Sequence, residues 1–149
     1  MALKYKIFDD YLNYALIRFV GWFFIKSMHS GLVLDIEKAK HGANIITYKR
    51  HGGDNQLWKW NGRCINSKLG YVLDIKENNS KKGTNIIAWK HHGGKNQHWR
   101  MKGDKIISGM NDLCLDITGG SKDSNVNIIA WPLKSDDDVN SQSWELEYQ

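Results

Sequence analysis

The chain is poor in several features that small scaffolds rely on. Its 149 residues hold only two cysteines, Cys64 and Cys114, and a single proline. No Cys-x-x-Cys or Cys/His spacing accompanies the cysteines, so neither a disulfide framework nor a metal site is encoded. Two free thiols are expected, and no cofactor. No block of five or more like charges occurs. Lysine and arginine exceed aspartate and glutamate by 21 to 16, a net charge of +5. That excess biases the protein toward anionic surfaces without demanding them, and no nucleic-acid partner is expected. The apolar run from Tyr14 to Ile25 is too short, and too interrupted by Arg18, to span a membrane. Asp9 and Asp10 break what would be the apolar core of a secretory signal. The expected location is therefore cytoplasmic, or outside the cell by a signal-independent route. Catalytic patterns are missing too: no paired-carboxylate cleft and no nucleophile with its base can be picked out, so no enzyme is expected.

What the chain has in abundance is self-similarity. Asn85 to Trp99 reads Asn-Ile-Ile-Ala-Trp-Lys-His-His-Gly-Gly-Lys-Asn-Gln-His-Trp. Asn44 to Trp58 is the same stretch slightly altered, and Asn127 to Trp144 is a looser third copy. Each copy follows a short apolar run containing aspartate: Val33-Leu34-Asp35-Ile36, Val72-Leu73-Asp74-Ile75 and Cys114-Leu115-Asp116-Ile117. The aspartates are 39 and 42 residues apart, and the glutamines of the Gln-x-Trp triplets 41 and 45 apart. A period near 40 residues decides the architecture before any local reading.

Within each unit the signals are β. Turns at Ser30-Gly31, Leu69-Gly70 and Asn111-Asp112 precede the Leu-Asp-Ile strands, and Asn61-Gly62 and Lys102-Gly103-Asp104 are hairpin chemistry between units. Four strands per unit predict twelve in all, with repeats at about 23–61, 62–103 and 104–149. The period of two sends Leu34, Ile36, Leu73, Ile75, Leu115 and Ile117 to the core beside Trp58, Trp99 and Trp144. It sends Asp35, Asp74 and Asp116 to the opposite, outward face, where their removal is expected to leave the fold intact. One compact threefold all-β barrel and cap, a β-trefoil, satisfies this pattern.

Residues 1–22 lie outside the repeat. Phe8, Tyr11, Leu12, Ala15, Phe19 and Trp22 fall at spacings that suit one face of a helix. A packed helix is the favoured reading of this extension; an extra strand, or a membrane-surface or partner helix, stands beside it. Its aromatic face needs cover, from the trefoil or from a second subunit in a homo-oligomer.

The triple Gln-x-Trp repeat with Leu-Asp-Ile ahead of each copy resembles the ricin-B-type lectins over residues 23–149. The His-Gly-Gly-x-Asn-Gln-x-Trp version resembles galactose-binding invertebrate members in particular. The resemblance implies shallow pockets for terminal galactose or N-acetylgalactosamine, up to one per repeat, without catalysis.

The residue chemistry agrees with that implication. A fixed carboxylate accepting from sugar hydroxyls gives charge-assisted bonds, which assigns Asp35, Asp74 and Asp116. An aromatic ring covers the apolar face of galactose, and Tyr48, Trp89 and Trp131 follow their aspartates by 13, 15 and 15 residues. By the family pattern Asn55 and Asn96 bond a further hydroxyl, and Gln56, Gln97 and Gln142 contact sugar or steady the aspartate. His51 and His92 are expected at the pocket rim; His41, His91 and His98 are read as polar surface.

Departures from the family pattern weaken some of this. Ile46, Ile87 and Ile129 stand where relatives often carry a polar residue. The third repeat has Ser141 in place of asparagine, lacks His-Gly-Gly, and has a loop three residues longer from Pro132 to Ser141. The first two pockets are therefore expected to bind, and the third is left open. The rival reading is a trefoil interaction module, like actin-bundling or growth-factor relatives, binding protein or sulphated glycan. Lys81, Lys82, Lys90 and Lys95 leave the sulphated-glycan form of it standing.

Overall fold

A computed structural model describes residues 21–149. The helical reading of residues 1–22 and its oligomeric corollary lie outside the described residues, save for Gly21 and Trp22. That ring sits in irregular backbone ahead of the first strand and packs on the Phe24, Val33 and Leu57 cluster.

Twelve strands form among the described residues, four per repeat. The first repeat holds β1 (Phe23–Ser27), β2 (Val33–Ile36), β3 (Ile45–Tyr48) and β4 (Trp58–Asn61). The second holds β5 (Cys64–Ser67), β6 (Val72–Ile75), β7 (Thr84–Trp89) and β8 (Trp99–Lys102). The third holds β9 (Lys105–Ser108), β10 (Cys114–Ile117), β11 (Ile128–Trp131) and β12 (Trp144–Tyr148). The hairpin turns at Gly62 (φ 60°) and Gly103 (φ 59°) use the left-handed conformation that glycine adopts without strain.

The first and fourth strand of every repeat build the barrel. β1 pairs with β4 and β12, β4 with β5, and β8 with β9. Two single bonds complete the ring: Trp99 N–H to the Arg63 carbonyl and Trp144 N–H to the Asp104 carbonyl, both 2.8 Å. The second and third strands form three cap hairpins, β2–β3, β6–β7 and β10–β11. They interlock cyclically: Asn44 pairs with Ile87, Asn85 with Ile129 and Asn127 with Ile46.

The predicted core is the observed one. Leu34, Ile36, Leu73, Ile75, Leu115, Ile117 and the three triplet tryptophans join a single buried cluster with Ile25, Ile65 and Ile106. Each buried indole also donates from Nε1 to the carbonyl of the leucine preceding an aspartate: Trp58 to Leu34 (3.4 Å), Trp99 to Leu73 (3.0 Å) and Trp144 to Leu115 (3.1 Å). The tryptophan therefore pins the strand that carries the carboxylate.

Cys64 and Cys114 are free and buried. Burial pushes both thiols up, Cys114 to about 11, with the Asp116 carboxylate adding to its shift. Neither is a reactive thiolate near neutral pH.

Candidate functional site

The period of two places each aspartate opposite the core, as expected, but the outward face is not open. Asp35, Asp74 and Asp116 are 4%, 2% and 1% exposed. The ground for expecting their removal to leave the fold intact, an exposed outward face, is corrected by what covers them: the loop leading into each Gln-x-Trp triplet folds back over the strand. Gly53 and Gly94 each open a short 3-10 turn, Asp54–Gln56 and Lys95–Gln97, which aims Asn and Gln at the carboxylate.

In the first repeat Asp35 Oδ1 accepts from Asn55 Nδ2 (3.0 Å), and Oδ2 accepts from Gln56 Nε2 (2.9 Å). His51 Nε2 lies 3.2 Å from Oδ2. The second repeat repeats this set: Asn96 to Asp74 Oδ1 at 3.1 Å, Gln97 to Oδ2 at 2.8 Å, and His92 Nε2 at 3.3 Å from Oδ2. The histidine tautomer follows from its other nitrogen. Gly53 N–H donates to His51 Nδ1 and Gly94 N–H to His92 Nδ1, both at 3.0 Å. In the neutral ring the proton is therefore on Nε2, facing the carboxylate.

Gln56, Gln97 and Gln142 are fully buried. Their Nε2 groups also donate to the carbonyls of Lys49, Lys90 and Pro132, and their Oε1 atoms accept from the backbone of His51, His92 and Lys134. Of the two roles expected for them, the geometry supports steadying the aspartate, because the amides do not reach the surface. A carboxylate offers about four acceptor positions. Three are taken in each of the first two repeats, which leaves one on Oδ1.

Two cavities open beside these carboxylates. One of about 280 Å³ brings together Asp74, Trp89, His92, Asn96, Ile87 and the Lys76–Asn78 turn. The other, about 380 Å³, gathers Asp35, Tyr48, His51, Asn55, Ile46 and Glu37 with Lys38. Ile46 and Ile87 thus contribute apolar wall where a polar group was missing. Burial pushes the Asp35 and Asp74 carboxyls above the ordinary aspartate value, and the Gln, His and Asn donors pull back against it.

The third repeat assembles differently. Lys134 takes the histidine's sequence position, three residues after the aromatic, and its Nζ lies 3.0 Å from Asp116 Oδ2 and 2.9 Å from Ser141 Oγ. Gln142 Nε2 donates to the same Oδ2 at 3.1 Å, while the buried Oδ1 has no partner among the described residues. Lys82 Nζ lies 5.3 Å above the Trp131 ring. Asp116, Trp131 and Gln142 are all present, but ammonium groups occupy both the carboxylate and the ring.

Several site residues were not legible in sequence. Each platform is braced by a left-handed residue of the preceding repeat in the cycle: Gly42 against Trp89 and Gly83 against Trp131, while Asn125 lines the Tyr48 cavity. Their N–H groups donate to the carbonyls of Ala88, Ala130 and Thr47, each at 2.7 Å. His41, read as plain surface, packs at a tilt on Trp89 with ring centres 4.2 Å apart. The Lys38 and Glu77 positions have φ of 55° and 57°, and their only sequence signal is that they directly follow Leu-Asp-Ile-x.

Comparison with known proteins agrees with this geometry. The ricin-type beta-trefoil lectin domain family matches residues 21–144. No curated protein matches the chain in sequence. Among solved structures, the designed threefold-symmetric protein ThreeFoil is 30% identical, with a TM-score of 0.78, over 87% of this chain and 99% of its own. The C-terminal half of the earthworm R-type lectin, solved with GalNAc, is 26% identical with a TM-score of 0.70 over 87% and 99%. The exo-beta-1,3-galactanase 1,3Gal43A of Clostridium thermocellum is 26% identical with a TM-score of 0.77, but only 30% of that larger chain is covered. With its fold, its repeated aspartate sites and a family match across most of its length, this chain belongs to the ricin-type β-trefoil lectin domain family, whose members bind carbohydrate.

Proposed function

We propose that the protein is a non-catalytic lectin that binds terminal galactose or N-acetylgalactosamine in its first and second repeats. The observation that carries this is the doubled constellation: an aspartate held by Asn, Gln and His at the side of a cavity walled by an aromatic ring, with one acceptor position left open. A sugar hydroxyl donating to that position gains a charge-assisted bond, and the ring of Tyr48 or Trp89 covers the apolar sugar face. Three donors on one carboxylate fix it as an acceptor and leave it a poor nucleophile or base, which favours binding over turnover. Two sites on one chain supply avidity from weak individual contacts.

Lactose calorimetry tests the assignment. Wild type is expected to bind at two sites, and Asp35→Ala and Asp74→Ala at one each. A bond to a charged group is worth roughly 1.5–3 kcal/mol, so the altered site loses on the order of tenfold to a hundredfold. Unchanged titration in folded single variants would overturn the sites, and no galactoside binding by wild type would overturn the ligand class.

A further inference from the structure

The second-repeat cavity does not end at its own rim. His92 and Asn96 line it and also line a neighbouring groove floored by Gly94 and Met110. Lys95 lines that groove and also a third cleft, of about 360 Å³, walled by Arg63, His98, Trp99, Arg100 and Gly109. Shared lining residues thus relate the Asp74 pocket, by way of this groove, to a cluster of cations. The cleft has no carboxylate in its wall. Arg63 and Lys95 have no ion-pair partner among the described residues. Arg100 pairs with Asp112 at 3.0 Å, but both side chains are more than half exposed, so the pair holds the guanidinium weakly.

The internal threefold symmetry provides a control. Three backbone bonds mark equivalent places: Gly109 N–H to the His98 carbonyl (2.7 Å), Lys68 N–H to Leu57 (2.9 Å) and Met28 N–H to Ser143 (2.9 Å). In the first repeat the place is closed, since Leu57 packs beneath Trp22 and Lys68 is paired with Asp54 at 3.3 Å. In the third repeat it is acidic. Asp104 and Glu145 stand at the positions of Arg63 and Arg100, and Met28 stands at that of Gly109. Gly109 itself keeps the second-repeat cleft open: a Cβ there would lie 3.0 Å from the His98 Cβ. Among the described residues, only the second repeat combines an open cleft, cations without a buried partner and lining shared with the groove beside a sugar pocket.

We propose that this series of cavities is an extended subsite for an acidic oligosaccharide, its neutral galactose-type residue in the Asp74–Trp89 pocket and its sulphate or carboxylate in the Arg63–Lys95–Arg100 cleft. The proposal rests on the galactoside reading of the second pocket. Joining the two contacts in one ligand makes the second an intramolecular event, so modest charge contacts on an exposed surface add usefully to a weak sugar site.

The test compares lactose with 3′- and 6′-sialyllactose and with lactose sulphated on the galactose 3- or 6-hydroxyl, by calorimetry at low salt. At least one acidic ligand is expected to bind about tenfold more tightly than lactose. The gain should shrink at about 0.5 M salt, where charges are screened within a few ångströms. Arg63→Gln with Arg100→Gln, both surface changes, should abolish the gain while lactose affinity stays within about twofold. Gly109→Met, which fills the cleft with the residue that stands there in the third repeat, should act the same way. Equal affinity for all five ligands, or a gain that survives in the arginine variant, overturns the proposal. Acidic ligands bound through the arginines without any lactose binding would keep the cleft and overturn the galactoside pocket instead.

Discussion

Asp74→Ala puts a number on the difference between a surface carboxylate and the one found here. The substitution strands one N–H of Gln97 Nε2 and one of Asn96 Nδ2, because each amide keeps only its second bond, to the Lys90 and Ile75 carbonyls respectively. Both amides are buried. A buried donor left without a partner costs about 1–3 kcal/mol, so the two together cost about 2–6 kcal/mol. Removing a carboxylate that burial already disfavours offsets part of that, as the raised pKa of Asp74 shows in direction. The expected net loss is about 2–3 kcal/mol, a large share of the stability of a typical domain.

Asp116→Ala is the internal comparison. It strands one N–H, that of Gln142, while Lys134 is 41% exposed and returns to water, and the unpartnered Oδ1 disappears. Its expected cost is about 1 kcal/mol or less. Urea unfolding followed by tryptophan fluorescence measures both against wild type. The reasoning fails if Asp74→Ala stays within about 0.5 kcal/mol of wild type, the range of ordinary surface changes, or if Asp116→Ala is the more damaging of the two.

Binding should depend on pH with a definite sign. Burial holds the Asp35 and Asp74 carboxyls above their ordinary 3.8, so lactose affinity falls on acidification with a midpoint above 3.8, when protonation removes the charged acceptor. The folding contribution of the same groups runs the other way. Being protonated more readily when folded, they favour the fold most in acid, and that contribution diminishes as pH rises from 3.8 through the raised value. Calorimetry across acidic pH checks the first sign, and a binding midpoint at or below 3.8 contradicts it. Gly94→Ala should disable the second pocket without straining the backbone, since φ before the turn is −70° but the new Cβ would lie 2.6 Å from Asn96 Oδ1 and 2.7 Å from His92 Cε1. Gly93→Ala should do the reverse. Its φ of +78° is strained for alanine, but the space is open, so about 1–2 kcal/mol of stability is lost and lactose binding kept. Paired melts and lactose titrations separate the two, and full binding by Gly94→Ala would refute the first.

The fold was legible because its information is local and repeated. Leu34-Asp35-Ile36 and its two counterparts state by alternation which side chains face the core, and three copies at one period leave the trefoil as the arrangement that buries all three faces together. The pocket inventory of Asp, aromatic, Asn and His was legible for the same reason, being carried at fixed spacing within one repeat. Tertiary structure alone decided the rest, wherever closure brings together residues with no mutual spacing. Alternation says that Asp74 turns away from the core, but not that the loop ending in Gln97 comes back to seal it. Gly42 and His41 reach Trp89 because the cap hairpins interlock across repeats. Lys134 meets Asp116 because the chain leaving β11 turns back over β10. The cationic cleft needs Arg63 from one hairpin turn, His98 and Arg100 from either side of Trp99, and a glycine at 109 that leaves room between them.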